Sequence, residues 1–195
     1  ETGDYPQAQA ALLLALEHFQ EQGEQLVYRL HTLGNLSTLS CRQGDARQAG
    51  TYAAQALELC QRHNLPYERR LPLGDLGAAA LASGDYTRAC SCLQESLEIA
   101  TQIADRTQEI FCLGHLGWAA ISQADYLPAL DYLLKALSLA EQIGSLTEQS
   151  WLHAGLAQAC AGLGEPDSAE LHAWQALHIA QAHGGRITLE SEPNQ

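Results

Sequence analysis

The sequence of 195 residues contains no methionine and few basic residues: ten lysines and arginines stand against 23 aspartates and glutamates, a formal net charge of −13. Nucleic acids and anionic membranes bind proteins through clustered positive charge, so neither is expected to be a partner of this chain. No apolar run approaches the roughly 18 residues of a spanning helix, and the start lacks a secretory signal pattern. We therefore expect a cytoplasmic protein, processed or cut from a longer chain.

Motifs that mark common enzymes are also missing. The sequence has no phosphate-binding G-x-x-x-x-G-K-[ST], no H-E-x-x-H and no G-x-S-x-G. None of the eight histidines is followed by another histidine four residues later, the spacing that chelates a metal from one helix face. We expect no enzymatic activity, no cofactor and no metal site.

The six cysteines show no C-x-x-C spacing. A chain of this size with 46% apolar residues does not need a disulfide framework, so we interpret them as reduced, structural thiols. They are Cys41, Cys60, Cys90, Cys92, Cys112 and Cys160.

An internal repeat organises the whole sequence. A Gly-Asp pair or a near equivalent recurs with steps of 41, 40, 40 and 40 residues. An alanine follows five residues after the start of each pair, and a small residue followed by leucine lies twelve residues after it. The pairs are Gly3-Asp4, Gly44-Asp45, Gly84-Asp85, Ala124-Asp125 and Gly164-Glu165.

The pattern predicts two antiparallel helices in each unit. From Tyr86 to Ala104, and again from Ile110 to Ile121, apolar residues recur at spacings of three and four, which defines one buried helical face. The Gly-Asp pairs end one helix and begin the next, because glycine accepts the left-handed conformation and aspartate caps free amides. Sustained alternation typical of strands is absent, so the predicted fold class is all-α.

These columns resemble the tetratricopeptide repeat, which pairs Leu-Gly in the first helix with Gly-Asp-Tyr at the turn and Ala-Leu in the second. Leu76-Gly77, Gly84-Asp85-Tyr86 and Ser96-Leu97 carry the match, which extends from Gly3 to about Ala182. The resemblance implies a right-handed α-solenoid of antiparallel helix pairs with about nine helices. The array would span residues 1–183, with units near 3–43, 44–83, 84–123, 124–163 and 164–183, and residues 184–195 would form a polar tail or a truncated next unit.

First helices of tetratricopeptide repeats line the concave surface of the array. If the same holds here, aromatic side chains and hydrogen-bonding groups alternate along that surface, as suits an extended or helical peptide. The candidate binding residues are His31, Asn35, Thr38, Asp75, Phe111, His115, Trp118, Trp151 and Gln158. For Phe111 and Trp151, packing between neighbouring units is an equally open interpretation. For His31 and His115, an ordinary surface position is the favoured interpretation.

Pro72 interrupts one first helix, whereas the equivalent positions carry Thr32, Cys112 and Leu152. Proline is tolerated in the first turn of a helix but costs about 3 kcal/mol in its interior. We predict that this helix starts near Leu71, roughly one turn later than its equivalents, and leaves a notch beside Asp75.

The repeat of 40 residues exceeds the family's usual 34 or so, and long units of this kind resemble the sensor arrays of bacterial transcription activators and multidomain signalling ATPases. The predicted function is a protein- or peptide-binding module, the sensor segment of a larger intracellular bacterial regulator. The alternative is a passive scaffold or oligomerisation module, a possible homodimer, that acts through terminal helices exposing Ala8, Leu12 and Leu16.

Overall fold

The computed structural model describes residues 5–19 and 24–182, and within them the chain forms nine α-helices and no strand. This confirms the all-helical prediction. The helices are α1 (Tyr5–His18), α2 (Glu24–Arg42), α3 (Ala46–Arg62), α4 (Arg70–Ala82), α5 (Tyr86–Gln102), α6 (Arg106–Ser122), α7 (Tyr126–Gln142), α8 (Leu146–Leu163) and α9 (Pro166–Ala182). Gly3, the start of the first predicted unit, and the predicted tail at 184–195 lie outside the described residues.

The helices form two layers. Each helix packs on the one before it, and α2, α4, α6 and α8 also contact one another in that order. Across the described part of the chain, the helices α1, α3, α5, α7 and α9 make no such contacts among themselves. Because the even-numbered helices lie closer together, they form the inner layer of the solenoid, which we call the inner face.

Tight approach within each helix pair depends on the glycine of the Leu-Gly motif. A methyl group on Gly77 would lie 2.5 Å from Leu93 Cγ, and one on Gly117 would lie 2.6 Å from Leu133 Cγ. Both leucines are fully buried between the helices of their pair. Because glycine has no side chain, these two positions set the spacing between the two layers.

The turns follow from the repeated Gly-Asp pairs. Gly44, Gly84 and Gly164 have φ angles near +80°, the left-handed conformation that ends a helix. Asp45 and Asp85 then cap the next helix, since each carboxylate accepts a hydrogen bond from the backbone N–H three residues later at 2.9 and 3.1 Å. These local interactions fix the period of the array.

Helix α4 starts at Arg70, four residues after the position equivalent to the start of α6 at Arg106. The predicted delay of one turn is confirmed. Pro72 lies in the first turn of α4, where its missing N–H breaks no interior hydrogen bond. Arg70 Nε donates to Asp105 Oδ2 at 2.7 Å and so ties this helix start to the turn before α6.

The predicted exposure of α1 was wrong for two of its three residues. Leu12 and Leu16 are partly buried against the apolar cluster that contains Leu33 and Leu36 of α2. Only Ala8 is exposed as predicted. The repeat pattern identified an apolar stripe on this helix but could not tell which neighbour covers it.

We predict that Gly117→Ala destabilises the fold by about 1–3 kcal/mol, since the added methyl overlaps Leu133 in a closely packed interface. Chemical denaturation followed by circular dichroism measures the change. Gly50→Ala is the matched control: its methyl would lie 3.8 Å from the nearest atom, Ala79 Cβ, so helix propensity should leave stability unchanged or raise it by up to about 1 kcal/mol. Equal losses in both variants would show that the contact at Gly117 is not limiting.

The caps supply a second prediction. Asp85 caps α5 with its side chain, whereas Asp125 at the start of α7 makes no such hydrogen bond. Asp85→Ala should therefore cost about 1 kcal/mol of stability and Asp125→Ala distinctly less. Thermal melts of the two variants measure this difference, and a larger loss for Asp125→Ala would contradict it.

Candidate functional site

An aromatic cluster occupies the inner face at α6 and α8. The ring centroids of Phe111 and His115 lie 4.2 Å apart, those of His115 and Trp151 lie 4.9 Å apart, and those of Trp118 and Trp151 lie 6.0 Å apart. All four side chains are half-buried. The structure thus brings together four of the nine predicted site residues, and we call them the aromatic cluster.

Glycines on the preceding first helix make room for two of these rings. A methyl group on Gly114 would lie 2.3 Å from Trp151 Cζ3, and one on Gly74 would lie 3.2 Å from Phe111 Cε1. Phe111 and Trp151 therefore pack between neighbouring first helices, and both keep part of their surface on the inner face. Packing between units and a place on the inner face, the two interpretations left open for these residues, therefore both apply.

The polar atoms of the cluster are held away from solvent. His115 Nδ1 lies 2.9 Å from the carbonyl oxygen of Phe111, and burial lowers the pKa of the imidazole, which favours its neutral form. The indole Nε1 of Trp118 is buried and has no hydrogen-bond partner among residues 5–19 and 24–182. Such an unmet donor costs stability, and it lies on the predicted binding surface.

A cavity of about 420 Å³ opens on the same face between α2, α4 and α6. Four further predicted site residues line it: His31, Asn35 and Thr38 on α2, and Asp75 on α4. The three α2 residues are exposed, and Asp75 is half-buried. Its position beside the delayed start of α4 matches the predicted notch. The ninth predicted residue, Gln158, is exposed on α8 and does not line this cavity.

Asp75 is electrostatically unusual. Burial raises the pKa of its carboxyl group to about 7. No hydrogen bond or ion pair to this carboxyl comes from any residue in the described ranges. Near neutral pH the group therefore exchanges between a neutral acid and an unpaired carboxylate.

Gln108 is a cavity residue that sequence reasoning missed. Its side chain is buried, and Nε2 donates to the carbonyl oxygen of Arg70 at 3.2 Å and to Ser96 Oγ at 3.0 Å. The available signal was Ser96, which stands where the other units carry alanine. A lone buried serine needs polar partners, and only the fold identifies them: Ser96 Oγ donates to the carbonyl oxygen of Arg70 at 2.6 Å and accepts from Gln108.

Other candidate chemistry on the described residues is limited. No group of three or more histidine, cysteine or acidic side chains is placed there to hold a metal ion, and no helix in those ranges is long and apolar enough to cross a membrane. The six cysteines are free thiols. His153 lies against His172, with the two Nδ1 atoms 3.1 Å apart.

The architecture defines a class of protein, a helical-repeat solenoid with an open groove on its inner layer. Tetratricopeptide-repeat models match residues 69–142 and 29–65, which together include α3 to α7 and most of α2. The chain belongs to the tetratricopeptide-repeat family.

Solved structures share the fold at low sequence identity. BtubC from P. vanneervenii is 19% identical with a TM-score of 0.73, and the match covers 99% of this chain and 80% of that protein. Aspartyl phosphate phosphatase F from Bacillus subtilis is 18% identical with a TM-score of 0.71, over 92% of this chain and 45% of the other. A Rap protein complexed with competence and sporulation factor is 19% identical with a TM-score of 0.73, over 91% and 51%. The sequence matches no curated protein.

The raised pKa of Asp75 predicts a pH-dependent stability. The folded protein binds more protons than the unfolded chain between the ordinary aspartate pKa of 3.8 and about 7, so stability falls as pH rises through this window. Asp75→Asn removes this dependence, and the melting temperature of the variant relative to the parent should increase from pH 4 to pH 8. The effect is at most a few kcal/mol, since one pKa unit is about 1.4 kcal/mol.

Asp131→Asn is the control for this measurement, because Asp131 is exposed and pairs with Lys135 on α7. Its melting temperature should follow that of the parent across the same pH range. A parallel curve for Asp75→Asn would show that the Asp75 carboxyl titrates as it does in the unfolded chain.

Proposed function

We propose that the chain is a protein- or peptide-binding module whose ligand lies along the inner face, across the cavity and the aromatic cluster. One observation carries this proposal: Phe111 lines the cavity and also packs against the ring of His115. The cavity and the cluster are therefore adjoining parts of one strip. Aromatic anchors beside hydrogen-bonding groups in a groove are the features that recur in peptide recognition.

The strip combines fixed and accessible groups in a way that suits a ligand. The rings of Phe111 and Trp151 are held by contacts with the neighbouring helix, so little side-chain freedom is lost when they are covered. Asn35 and Thr38 are exposed on α2 and offer hydrogen bonds to a backbone or a side chain. Rigid apolar anchors raise the affinity for a ligand, and the accessible polar groups beside them fix its position along the strip.

We further propose that this module is the sensor segment of a larger bacterial regulator. The Rap protein of the comparison was solved with competence and sporulation factor bound, and the chain spans about half of that protein's length. A ligand that prefers one curvature of the array would shift the population of its conformations and so the state of an attached effector. The shared fold supports this proposal.

Selection from a displayed library of random peptides tests the binding function. Peptides recovered on the parent protein should lose at least tenfold in affinity on Asn35→Ala, because an accessible hydrogen-bonding group at the strip is removed. Gln94→Ala, an equally exposed substitution on α5 of the outer layer, should leave affinity unchanged. Equal affinities of the two variants would place the binding site elsewhere.

Tryptophan fluorescence gives a second readout of the same binding. The chain has three tryptophans, of which Trp118 and Trp151 lie on the strip and Trp174 is 66% exposed on α9. In a Trp174→Phe variant the remaining emission comes from the strip, and a bound peptide should change its intensity or wavelength. A peptide that binds without changing this emission would not occupy the aromatic cluster.

One observation favours self-association as a second candidate function. Helix α9 exposes Leu171, Trp174 and Leu177, with 58%, 66% and 47% of their surfaces accessible. Apolar side chains spaced at three residues lie on one side of a helix and form a contiguous patch. Light scattering over a hundredfold concentration range should show a dimer that Trp174→Ala abolishes if this patch is an interface, and a constant monomer mass if it is not.

A further inference from the structure

The carboxyl of Asp75 is not paired with the arginine at the start of its own helix. Arg70, on the same helix, donates to Asp105 Oδ2 at 2.7 Å and pairs with Glu68 at 3.1 Å. Among the described residues, no ion pair or hydrogen bond reaches Asp75. An unpaired charge at a half-buried position is costly, so this carboxyl favours either a proton or an external cation.

The carboxyl also has a defined position in the cavity. It lies over Gly34 of α2, where an added methyl group would be 3.4 Å from Asp75 Oδ2. The surrounding wall is largely apolar and comes from all three helices, with Leu30 on α2, Leu71 and Pro72 on α4, and Phe111 on α6. A guest that fits this site has an aliphatic stem and a cationic end.

We propose that the cavity binds a long basic side chain, lysine or arginine, of a peptide on the inner face, with its charged end on Asp75. The methylene stem would pack against Leu71, Pro72 and Phe111, as the stems of long basic side chains do on apolar surfaces. The net charge of −13 favours the approach of such a ligand. This inference rests on the proposed function and specifies the chemistry of its ligand.

Binding of a cation at Asp75 is linked to the loss of a proton. Since the pKa of this carboxyl is raised to about 7, a cation has to displace the proton at lower pH. The apparent affinity should then rise roughly thirtyfold between a pH of about 5.5 and about 8, in proportion to the ionised fraction.

Several other titratable groups face this carboxyl. His31 and Cys41 lie on α2, Cys112 lies on α6, and Glu68 lies in the turn before α4. Burial raises the pKa of both thiols, so they stay neutral in the pH range of the experiment. His31 lines the same cavity, so a His31→Gln variant separates its contribution.

Three small probes dissect the site without a peptide. The amine n-butylammonium carries both charge and stem, methylammonium carries the charge alone, and n-butanol carries the stem alone. Each is titrated into carbon-13-labelled protein while the carboxyl resonance of Asp75, assigned from Asp75→Asn, is followed by NMR. We expect n-butylammonium to shift this resonance toward the carboxylate position, and to bind at least fivefold more tightly than either other probe.

Matched variants control the experiment. In Asp75→Asn, which has no carboxyl signal at this position, binding is followed through the methyl resonances of Leu71, and the preference for n-butylammonium over n-butanol should be lost. Asp131→Asn, on the outer layer, should keep this preference together with the thirtyfold pH dependence. The inference is overturned if the charged and neutral probes bind equally, if methylammonium binds as well as n-butylammonium, or if Asp75→Asn changes nothing. It is also overturned if the pH dependence vanishes in His31→Gln.

The outcome is distinguishable from that of the peptide selection. Peptides that bind through Asn35 but show no preference between lysine and norleucine would remove the Asp75 subsite and leave the proposed function intact. Cation binding at Asp75 without any peptide selected on the inner face would overturn the proposed function and leave the Asp75 cation site intact.

Discussion

The close approach of paired helices at glycine residues is the constraint on which this structure depends. Gly77 and Gly117 let the two helices of a pair approach until a leucine from the second helix lies directly on the backbone of the first. Packing of this kind leaves no room for a methyl group, because protein interiors are as dense as organic crystals. The repeated Leu-Gly motif is therefore a steric requirement of the array, and the layer spacing and the groove both follow from it.

A second column of glycines builds the candidate site by the same means. Gly34, Gly74 and Gly114 lie on successive first helices, and each receives a side chain from the next one. At Gly114 that side chain is the ring of Trp151, and at Gly74 the ring of Phe111 lies beside the amide of Gln108. At Gly34 it is the carboxyl of Asp75. One packing device thus gives the aromatic cluster at one end of the strip and the acidic cavity at the other, where the delayed start of α4 adds space.

Two energetically unfavourable features of the fold lie on this strip. The buried indole nitrogen of Trp118 has no partner in the described part of the chain, and the Asp75 carboxyl is desolvated without a cation. Each costs folding free energy that an apolar side chain would not. Polar groups left unsatisfied while the rest of a fold obeys its packing rules are typical of functional sites, and this supports the proposal of a ligand on the inner face.

The sequence alone determined the helices, their turns and the family, because these depend on interactions a few residues apart. Gly44 and Asp45 end one helix and cap the next within a single turn, and Pro72 fixes the start of its own helix through its missing N–H. Tertiary structure alone decided which side of α1 is covered, the burial of Gln108 against Ser96, and the environment of Asp75. Those features join helices from different units, and their energies depend on distances and desolvation that a periodic pattern does not encode.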